Sequence, residues 1–446
     1  MKLRNIFLAG LAVCTMASCS KDETIDYSQM GEVDAYVSFT ATSALSTKAT
    51  VDSENKELLD GEKYINSLTA YVFKDAATDD QKKLAGVKHI TMEDADAALK
   101  GDFGLQAINH VVVKVTPNAE GTSSTDQFVA VLVANCEKLN VSSLAGLKSA
   151  TITGNISTYE PSKVASTSVF LPMVSAEIPF GGLVPNITVN GETTTYTENW
   201  LQGGSANIEH QTSDEGDPTS IPKNLTSISL ERLVARVQVE KLIFNLEQNY
   251  PGATFELDTL SLVNVRPTST IKGGNGQYVK GYQSDGYAKS QKWICPSSET
   301  EQTLAKEYTY EAFSGSNVSV DFTNDALYKN DKFCVYAFSN EEVPEGQEDV
   351  ADGATTDNNI YQTALLISGK FKRSSDAPAE TRHFRVLLKD QDQPVKVLKN
   401  HVYKLTVTIT GEGSPNEDEI LLNAHVAAQI TVAPWNVIEQ NEEDAN

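Results

Sequence analysis

The chain has 446 residues, a formal net charge of -24 at pH 7 and a hydrophobic fraction of 40%. This length predicts two or three domains, each large enough to bury its own core. The acidic excess argues against a nucleic-acid partner and against an anionic membrane surface, because both are bound through clustered Lys and Arg. Self-repulsion that keeps a soluble protein dispersed explains the charge most simply, and an acidic coat that binds cations is the alternative.

The N-terminus, residues 1–18, is organised like a targeting signal. Lys2 and Arg4 precede an apolar run that is too short to cross a bilayer as a permanent helix. The run ends in Met-Ala-Ser-Cys, from Met16 to Cys19, which resembles a bacterial lipobox. We therefore expect cleavage before Cys19 and acylation of its sulfur. An ordinary secretion signal with an incidental cysteine is the alternative.

The first structured segment is a strongly alternating one. Apolar side chains occupy every second position: Val33, Ala35, Val37, Phe39 and Ala41. A period of two predicts a β-strand with one buried face. Lys48-Ala49 follows among small and hydroxylated residues, as a site that a trypsin-like protease would cut. A strand fit for a core, joined to a site that can be cut, predicts that residues 19–48 form a removable propeptide.

Short strands separated by Gly and Pro make up most of the remaining chain. Phe128 to Ala134 is apolar on both faces, which predicts a central strand. A short helix is expected at Met92 to Lys100, and a weak helix or coil at Leu139 to Leu147. This pattern predicts an all-β protein built from β-sandwich domains with few short helices.

Thr212 to Pro222 is rich in acids and breakers and predicts a linker between two domains, residues 49–215 and residues 216–446. Beyond the linker, apolar residues alternate with polar ones from Leu233 onward. This alternation assigns Arg236 to the polar face of a strand.

The last predicted strand matches the first in the size and spacing of its apolar residues. Its apolar face consists of Val426, Ala428, Ile430 and Val432, and Trp435 follows. Two strands with matching apolar side chains fit one groove. If the first is cut away after Lys48, the last strand of a neighbouring copy can replace it, and such a head-to-tail contact builds filaments. Two ordinary sandwich strands are the alternative.

Catalytic and metal-binding patterns are absent from the sequence. It contains no Gly-rich phosphate loop, no zinc-ligand spacing and no nucleophile elbow. The six histidines are scattered, and nothing singles out a carboxylate pair for glycoside hydrolysis. We expect no catalytic residue, no metal and no cofactor. After Cys19, the odd set Cys136, Cys295 and Cys334 allows at most one disulfide, and buried free thiols are expected.

Five features together carry a family resemblance. They are the lipobox, the strand before a basic cleavage site, Leu-Glu-Arg-Leu-Val-Ala-Arg at Leu230 to Arg236, Leu-Lys-Asn-His-Val-Tyr at Leu398 to Tyr403, and the terminal Pro434-Trp435. In this arrangement the chain resembles the FimA and Mfa-type fimbrial subunits, or type V pilins, of Bacteroides-like bacteria. The resemblance covers nearly the whole chain.

The resemblance implies two transthyretin-like β-sandwich domains, a lipidated precursor at the outer membrane and an extracellular fimbrium when mature. It makes Cys19 the lipidation site, Lys48-Ala49 the bond cut by an Arg/Lys-specific protease, and the strand from Val426 the donor in strand exchange. Many relatives have Arg before the cut, where this chain has Lys48. The implied partners are other copies of the chain, anchor and tip subunits, and the protease.

Because this sequence has both a removable strand and a donor strand, a stalk subunit is favoured over a tip adhesin of the same fimbrium. A different class of function, a surface lipoprotein that binds glycans, is the rival. A loop with Tyr278, Tyr282, Tyr287 and Trp293 suits stacking on sugars.

Overall fold

A computed structural model of the chain describes most of the two predicted sandwiches. The described residues are 26–43, 60–153, 170–189, 192–193, 196–203, 207–213, 221–223, 225–263, 265, 268–272, 308–309, 314–315, 317–321, 334–340, 363–390, 393–394, 397–415 and 426–434.

Strands dominate these residues, which confirms the predicted all-β class. Up to residue 213 they are β1 (Val33–Thr42), β2 (Ser67–Lys74), β3 (Leu84–Thr91), β4 (Lys100–Gly101), β5 (Gly104–Leu105), β6 (Ala107–Val115), β7 (Gln127–Ala134), β8 (Thr151–Thr153), β9 (Met173–Ser175), β10 (Ile178–Gly181), β11 (Thr188–Val189), β12 (Glu192–Thr193), β13 (Tyr196–Leu201) and β14 (Ile208–Ser213).

The second half continues in the same way. Its strands are β15 (Ile228–Arg232), β16 (Val234–Asn245), β17 (Thr254–Val263), β18 (Thr268–Thr270), β19 (Tyr308–Thr309), β20 (Ser314–Gly315), β21 (Asn317–Asp321), β22 (Cys334–Phe338), β23 (Ala364–Lys372), β24 (Glu380–Leu387), β25 (Lys389–Asp390), β26 (Gln393–Pro394), β27 (His401–Ile409) and β28 (Val426–Pro434).

The first half contains one sheet path that bends around a single core. Its order is β14-β13-β1-β15-β9-β7-β2-β3, with β6 added to β1 and β10 added to β7. β1 and β10 face each other across the core, where Phe39 of β1 meets Phe180 of β10 edge-on with ring centroids 6.4 Å apart. The strand at Phe128 to Ala134 is central as predicted, since β7 pairs with β2 on one side and with β9 and β10 on the other.

The second half is a sandwich of two five-stranded sheets. One has the order β21-β16-β27-β28 with β22 on β16, and the other has the order β19-β17-β23-β24 with β20 on β17. Three aromatic rings join the layers. Phe255 of β17 stacks on Phe244 of β16 at 5.3 Å between centroids and meets Phe384 of β24 edge-on at 5.4 Å.

The two halves are in contact through more than one segment. β15 lies beyond the predicted linker, yet it pairs with β1 and β9 of the first sheet. β8 and β18, one from each half, form a two-stranded sheet. The predicted boundary at residues 215 and 216 stays a prediction, but strand pairing places β15 with the first half and β16 with the second.

The two expected helices are shorter than their segments. Between Met92 and Lys100 only a 3-10 turn, Ala97–Leu99, is formed. A hydrogen bond of 2.7 Å from Thr91 Oγ1 to an Asp94 carboxylate oxygen satisfies polar groups locally, which competes with a regular helix. The other segment yields α1 (Leu144–Ser149), whose start is set by Ser143 Oγ, the acceptor of the Gly146 N–H at 3.2 Å. Two further 3-10 turns are Tyr27–Met30 and Asp60–Lys63.

Cys136 and Cys334 are thiols that are not joined in a disulfide, and Cys295 lies outside the described residues. Burial raises the pKa of the Cys136 thiol to about 12. Because the thiolate is the reactive form, a group with this pKa is only about one part in ten thousand ionised at pH 8.

We therefore predict that Cys136 of the folded chain reacts with iodoacetamide at pH 8 at least a hundredfold more slowly than Cys136 of the urea-unfolded chain. Mass spectrometry of the peptide that contains Cys136, sampled over time, measures both rates. Equal rates in the folded and unfolded chain would contradict a buried, protonated thiol.

Candidate functional site

The first strand of the chain is an inner strand of its sheet. β6 pairs with β1 antiparallel from Val33 to Thr40, and β13 pairs with it parallel from Tyr36 to Phe39. We call the slot between β6 and β13, which β1 fills, the first-strand groove. Because both edges of β1 carry sheet hydrogen bonds, removing it would expose backbone groups on β6 and on β13.

The predicted apolar face of β1 lies in the core of the first half. Ala35, Val37 and Phe39 are fully buried, Ala41 is 4% exposed, and Val33 is partly buried at the edge. At about 25 cal/mol per Å2 of apolar surface, these side chains contribute on the order of 10 kcal/mol. The strand predicted to be removed is thus a full member of the core.

The opposite face of β1 is buried at Ser38 and Thr40, and there it meets a carboxylate. Ser38 donates its hydroxyl to Oε1 of Glu198 on β13 at 2.5 Å, and neither side chain is exposed. The backbone N–H of His110 donates to the same Glu198 oxygen at 3.0 Å, while His110 Nδ1 lies 3.3 Å from Glu198 Oε2. A buried carboxylate is costly unless it is hydrogen-bonded, so the contact with Ser38 matters for this face.

A β-bulge in β6 brings His110 to this carboxylate. The pairing shifts register between Val37 and Phe39 of β1, and His110 has the left-handed φ of 57°. A non-glycine residue in that conformation costs about 1 kcal/mol, which its two hydrogen bonds offset. The ring of His110 stacks on Tyr36 of β1, with centroids 3.8 Å apart.

Asn199, the neighbour of Glu198 on β13, uses its side chain to bind the backbone of β1. The Asn199 side-chain amide donates to the carbonyl of Tyr36 at 2.8 Å and to that of Val184 at 3.2 Å. Its Oδ1 lies 2.9 Å from Nδ1 of His210, and burial lowers the pKa of His210, which favours the neutral ring. Because Asn199 contacts a main-chain carbonyl, any strand in the groove can satisfy it.

The exit of β1 leads to a second buried polar group, which we call the junction cluster: Glu62, Arg232, Arg236 and Tyr336. Arg232 ends β15 and is fully buried. Its Nη2 donates to the carbonyl of Ser43 at 3.1 Å and to that of Glu62 at 2.8 Å, and its Nε donates to Glu62 at 3.0 Å. Ser43 and Glu62 flank residues 44–59, which include Lys48-Ala49. One guanidinium therefore holds the chain on both sides of the predicted cleavage site.

The carboxylate of Glu62 pairs with Arg236. Nη1 of Arg236 donates to both Glu62 oxygens at 2.8 and 2.9 Å, and the Tyr336 hydroxyl donates to one of them at 2.6 Å. Burial alone would lower the pKa of Arg236, but the negative charge of Glu62 outweighs it and the pKa is raised. Arg236 lies on the face of β16 opposite its apolar face, as predicted. Its side chain is nevertheless buried, because Glu62 covers it.

Two motifs that the sequence singled out meet beside the junction cluster. Asn400 accepts the backbone N–H of Arg232 at 3.2 Å and donates its own backbone N–H to Val234 at 2.8 Å. Lys399 lies 3.3 Å from a carboxylate oxygen of Glu231. Asn400 has a φ of 55°, a conformation that Asn tolerates better than most residues. The Leu230–Arg236 and Leu398–Tyr403 motifs are thus two sides of one contact.

The predicted donor strand, β28, occupies the end of a sheet. Within the described ranges it pairs only with β27, antiparallel. Val426 is 8% exposed and Ile430 packs partly against the second core, whereas Ala428 between them is exposed. The apolar face of β28 is therefore only partly covered.

Several predicted site residues lie outside the described residues. These are Cys19, Lys48, Ala49, Trp435, the loop residues Tyr278, Tyr282, Tyr287 and Trp293, and the side chain of Val432. Their proposed roles stay predictions.

The sequence did not point to Glu62, Glu198 or His110. Their partners are distant along the chain: 160 residues separate Ser38 from Glu198, and 174 residues separate Glu62 from Arg236. A partial signal existed for Glu198, because an acidic residue inside the short strand Tyr196–Leu201 is unusual unless it is paired.

Metal and membrane features are not part of this site. Across the part of the chain that the structure describes, no three His, Cys, Asp or Glu side chains gather in a group that could hold a metal ion. The helices in those same residues are short, and none has the length and hydropathy of a membrane span.

Comparison with known proteins finds a matching family and matching folds. Residues 35–232, from within β1 to the end of β15, match the family described as major fimbrial subunit protein FimA. The major fimbrium subunit FimA type-5 of Porphyromonas gingivalis is 23% identical over 454 residues, covering 99% of both chains.

Two crystal structures of candidate cell adhesion proteins from Parabacteroides distasonis share the fold. One has a TM-score of 0.53 at 18% identity and covers 92% of this chain and 99% of its own. The other has a TM-score of 0.51 at 17% identity and covers 91% of this chain and 100% of its own.

The fold and these matches define a class of protein: a fimbrial component, which assembles with other fimbrial subunits in a filament outside the cell. Residues 35–232 match the FimA family, and the resemblance of the chain to FimA and Mfa-type fimbrial subunits is confirmed. That family consists of structural subunits and is not a class of enzymes.

The junction cluster predicts a large effect for Arg236→Met in the full chain. The change leaves the buried Glu62 carboxylate without its cation, so the free energy of unfolding should fall by about 3 to 5 kcal/mol. Urea denaturation measures this free energy of unfolding.

Arg373→Met is the matched control, because Arg373 pairs with Glu412 at the surface with 67% of its side chain exposed. An exposed pair contributes about 1 kcal/mol or less. Equal losses in the two variants would contradict the role of the junction cluster.

Proposed function

We propose that this chain is a stalk subunit that polymerises by donor-strand exchange after proteolysis. Cys19 carries the lipid of an outer-membrane precursor, and a protease cuts between Lys48 and Ala49. β1 then leaves the first-strand groove, and residues 426–434 of another copy fill it. Anchor and tip subunits complete the fimbrium.

The observation that carries this proposal is the inner position of β1. A segment at the start of a chain is expected at a sheet edge if its removal is to be harmless, but β1 is paired on both sides and has buried side chains on both faces. Its removal leaves a groove with unpaired backbone and an apolar floor. Only another strand satisfies both requirements, because main-chain bonds and alternate side chains must be replaced together.

The surroundings of the predicted cut support the same proposal. Arg232 contacts the carbonyl of Ser43, which would leave with β1, and that of Glu62, which would stay. Cutting between them makes the departure of β1 a separation of two chains, so the backbone link no longer keeps β1 at a high effective concentration.

The position of β28 supports its role as donor. It follows every other strand of its sheet in sequence and is paired along one edge among the described residues. Leaving that sheet therefore breaks one ladder, whereas entering the first-strand groove forms two.

The mature filament form is expected to begin at Ala49. Subunits recovered from assembled fimbriae should give the N-terminal sequence from Ala49 onward, while the membrane-bound precursor begins at the acylated Cys19. N-terminal sequencing of both fractions tests this, and assembled material that starts at Cys19 would overturn the proposal.

Ala428→Arg should prevent polymerisation while leaving the stability of the precursor nearly unchanged. Ala428 is exposed in β28, so the precursor should lose less than about 0.5 kcal/mol. In the groove it takes the place of Ala35, which is fully buried, and a guanidinium is excluded there. After brief treatment with a lysine-specific endoprotease, which does not cut at the new Arg, wild-type protein should run as a ladder on an unheated denaturing gel, and Ala428→Arg protein should run as a monomer.

Ala98→Arg, at an exposed alanine far from both strands in sequence, is the matched control and should form ladders. Ladders from Ala428→Arg protein would contradict the donor role of β28. A wild-type protein that stays monomeric after the cut and binds sugars would favour the glycan-binding alternative.

A further inference from the structure

The apolar pattern of the donor strand does not by itself determine its position in the first-strand groove. Val426, Ala428, Ile430 and Val432 repeat every two residues, so a shift of two residues keeps the same face toward the core. A filament of defined repeat needs one register, and a polar contact is the usual means of selecting it.

From the buried contact of Ser38 we infer that Glu198 sets the register of the incoming strand by requiring a hydroxyl opposite it, and that Thr431 of the next copy supplies this hydroxyl. This inference rests on the proposed function. It makes Glu198 and Thr431 positioning residues of strand exchange.

The Glu198 carboxylate is on the part of the protein that stays. It is fully buried on β13, and it accepts hydrogen bonds from Ser38 Oγ at 2.5 Å and from the His110 N–H at 3.0 Å. When β1 leaves, the bond from His110 remains and the bond from Ser38 is lost. A strand that replaces β1 without a donor at that point leaves a buried carboxylate short of a hydrogen bond.

Only one residue of the donor strand can provide that bond from a hydroxyl. Residues 426–434 read Val-Ala-Ala-Gln-Ile-Thr-Val-Ala-Pro, in which Thr431 is the single hydroxyl residue. If Val426 takes the place of Val33 and the strand runs in the direction of β1, Thr431 takes the place of Ser38. The apolar match and the hydroxyl match therefore give the same register.

Shifted registers fit less well at this point. A shift of two residues places Gln429 or Ala433 opposite Glu198 and keeps the apolar face intact. Ala433 has no side-chain donor, and the longer amide of Gln429 would have to enter the space of the smaller, fully buried Ser38. Asn199 does not discriminate between registers, because it binds a main-chain carbonyl of β1. The Glu198 carboxylate is thus a buried group that favours one register over the next.

The test compares ladder formation by full-length variants cut with trypsin, at equal protein concentration. Thr431→Val keeps the shape of the side chain and removes the donor, so exchange should slow by about tenfold to a hundredfold, the range for a hydrogen bond to a charged group. Thr431→Ser keeps the hydroxyl and should stay within about threefold of wild type by the same reasoning.

Ser38→Ala should change the rate of exchange in the opposite direction. It removes the same hydroxyl from the resident strand, so β1 is held less tightly and exchange should become faster. A merely structural role of these hydroxyls in folding would slow assembly in both cases. In a Glu198→Gln background, Thr431→Val should slow exchange less than it does in the wild-type background, because the charged contact that the hydroxyl would make is already gone.

The inference would be overturned if Thr431→Val protein exchanged at the wild-type rate, or if Ser38→Ala protein exchanged more slowly than wild type. In either case, ladders formed by the wild-type protein would still support strand exchange. Wild-type protein that forms no ladder after the cut would instead count against the proposed function itself.

Discussion

The structure depends on the sheet position of one strand. β1 is the first strand of the described residues, yet it has partners on both edges and buried side chains on both faces. Strands on either side of it come from distant parts of the sequence, so the first half is complete only when that slot is filled. A sheet with an empty inner position would expose unpaired main-chain groups and apolar surface, both of which favour capture of another strand.

Buried polar groups give this arrangement its specificity. Apolar burial of Val37 and Phe39 holds β1 in the groove, but it tolerates shifts along the strand. Glu198 opposite Ser38 defines one position along β1. Groups of this kind add little net stability, because their desolvation is costly, and they make wrong arrangements costlier still. The junction cluster also connects Glu62 with both halves, since Arg232 ends β15 of the first sheet and Arg236 and Tyr336 lie on β16 and β22 of the second.

Period-two patterns made much of the fold predictable. Val37 and Phe39 alternate with Ser38, and the buried face follows directly. The central place of β7 followed from an apolar run on both faces. The polar site was harder to predict from the sequence, because it depends on contacts between residues that are distant along the chain. Arg236 was assigned to a polar face, and only the position of Glu62, 174 residues away, shows that this face is buried. The left-handed bulge at His110 has only a weak signal in the sequence, the pair Asn109-His110, whose residue types tolerate that conformation better than most.

A high-resolution structure of the native fimbrium would test the central claim most directly. The account predicts that the slot between β6 and β13 of each subunit holds residues 426–434 of a neighbouring subunit, with Thr431 beside Glu198, and that residues 33–42 are absent. A filament in which every slot still holds residues 33–42 of its own subunit would contradict the account.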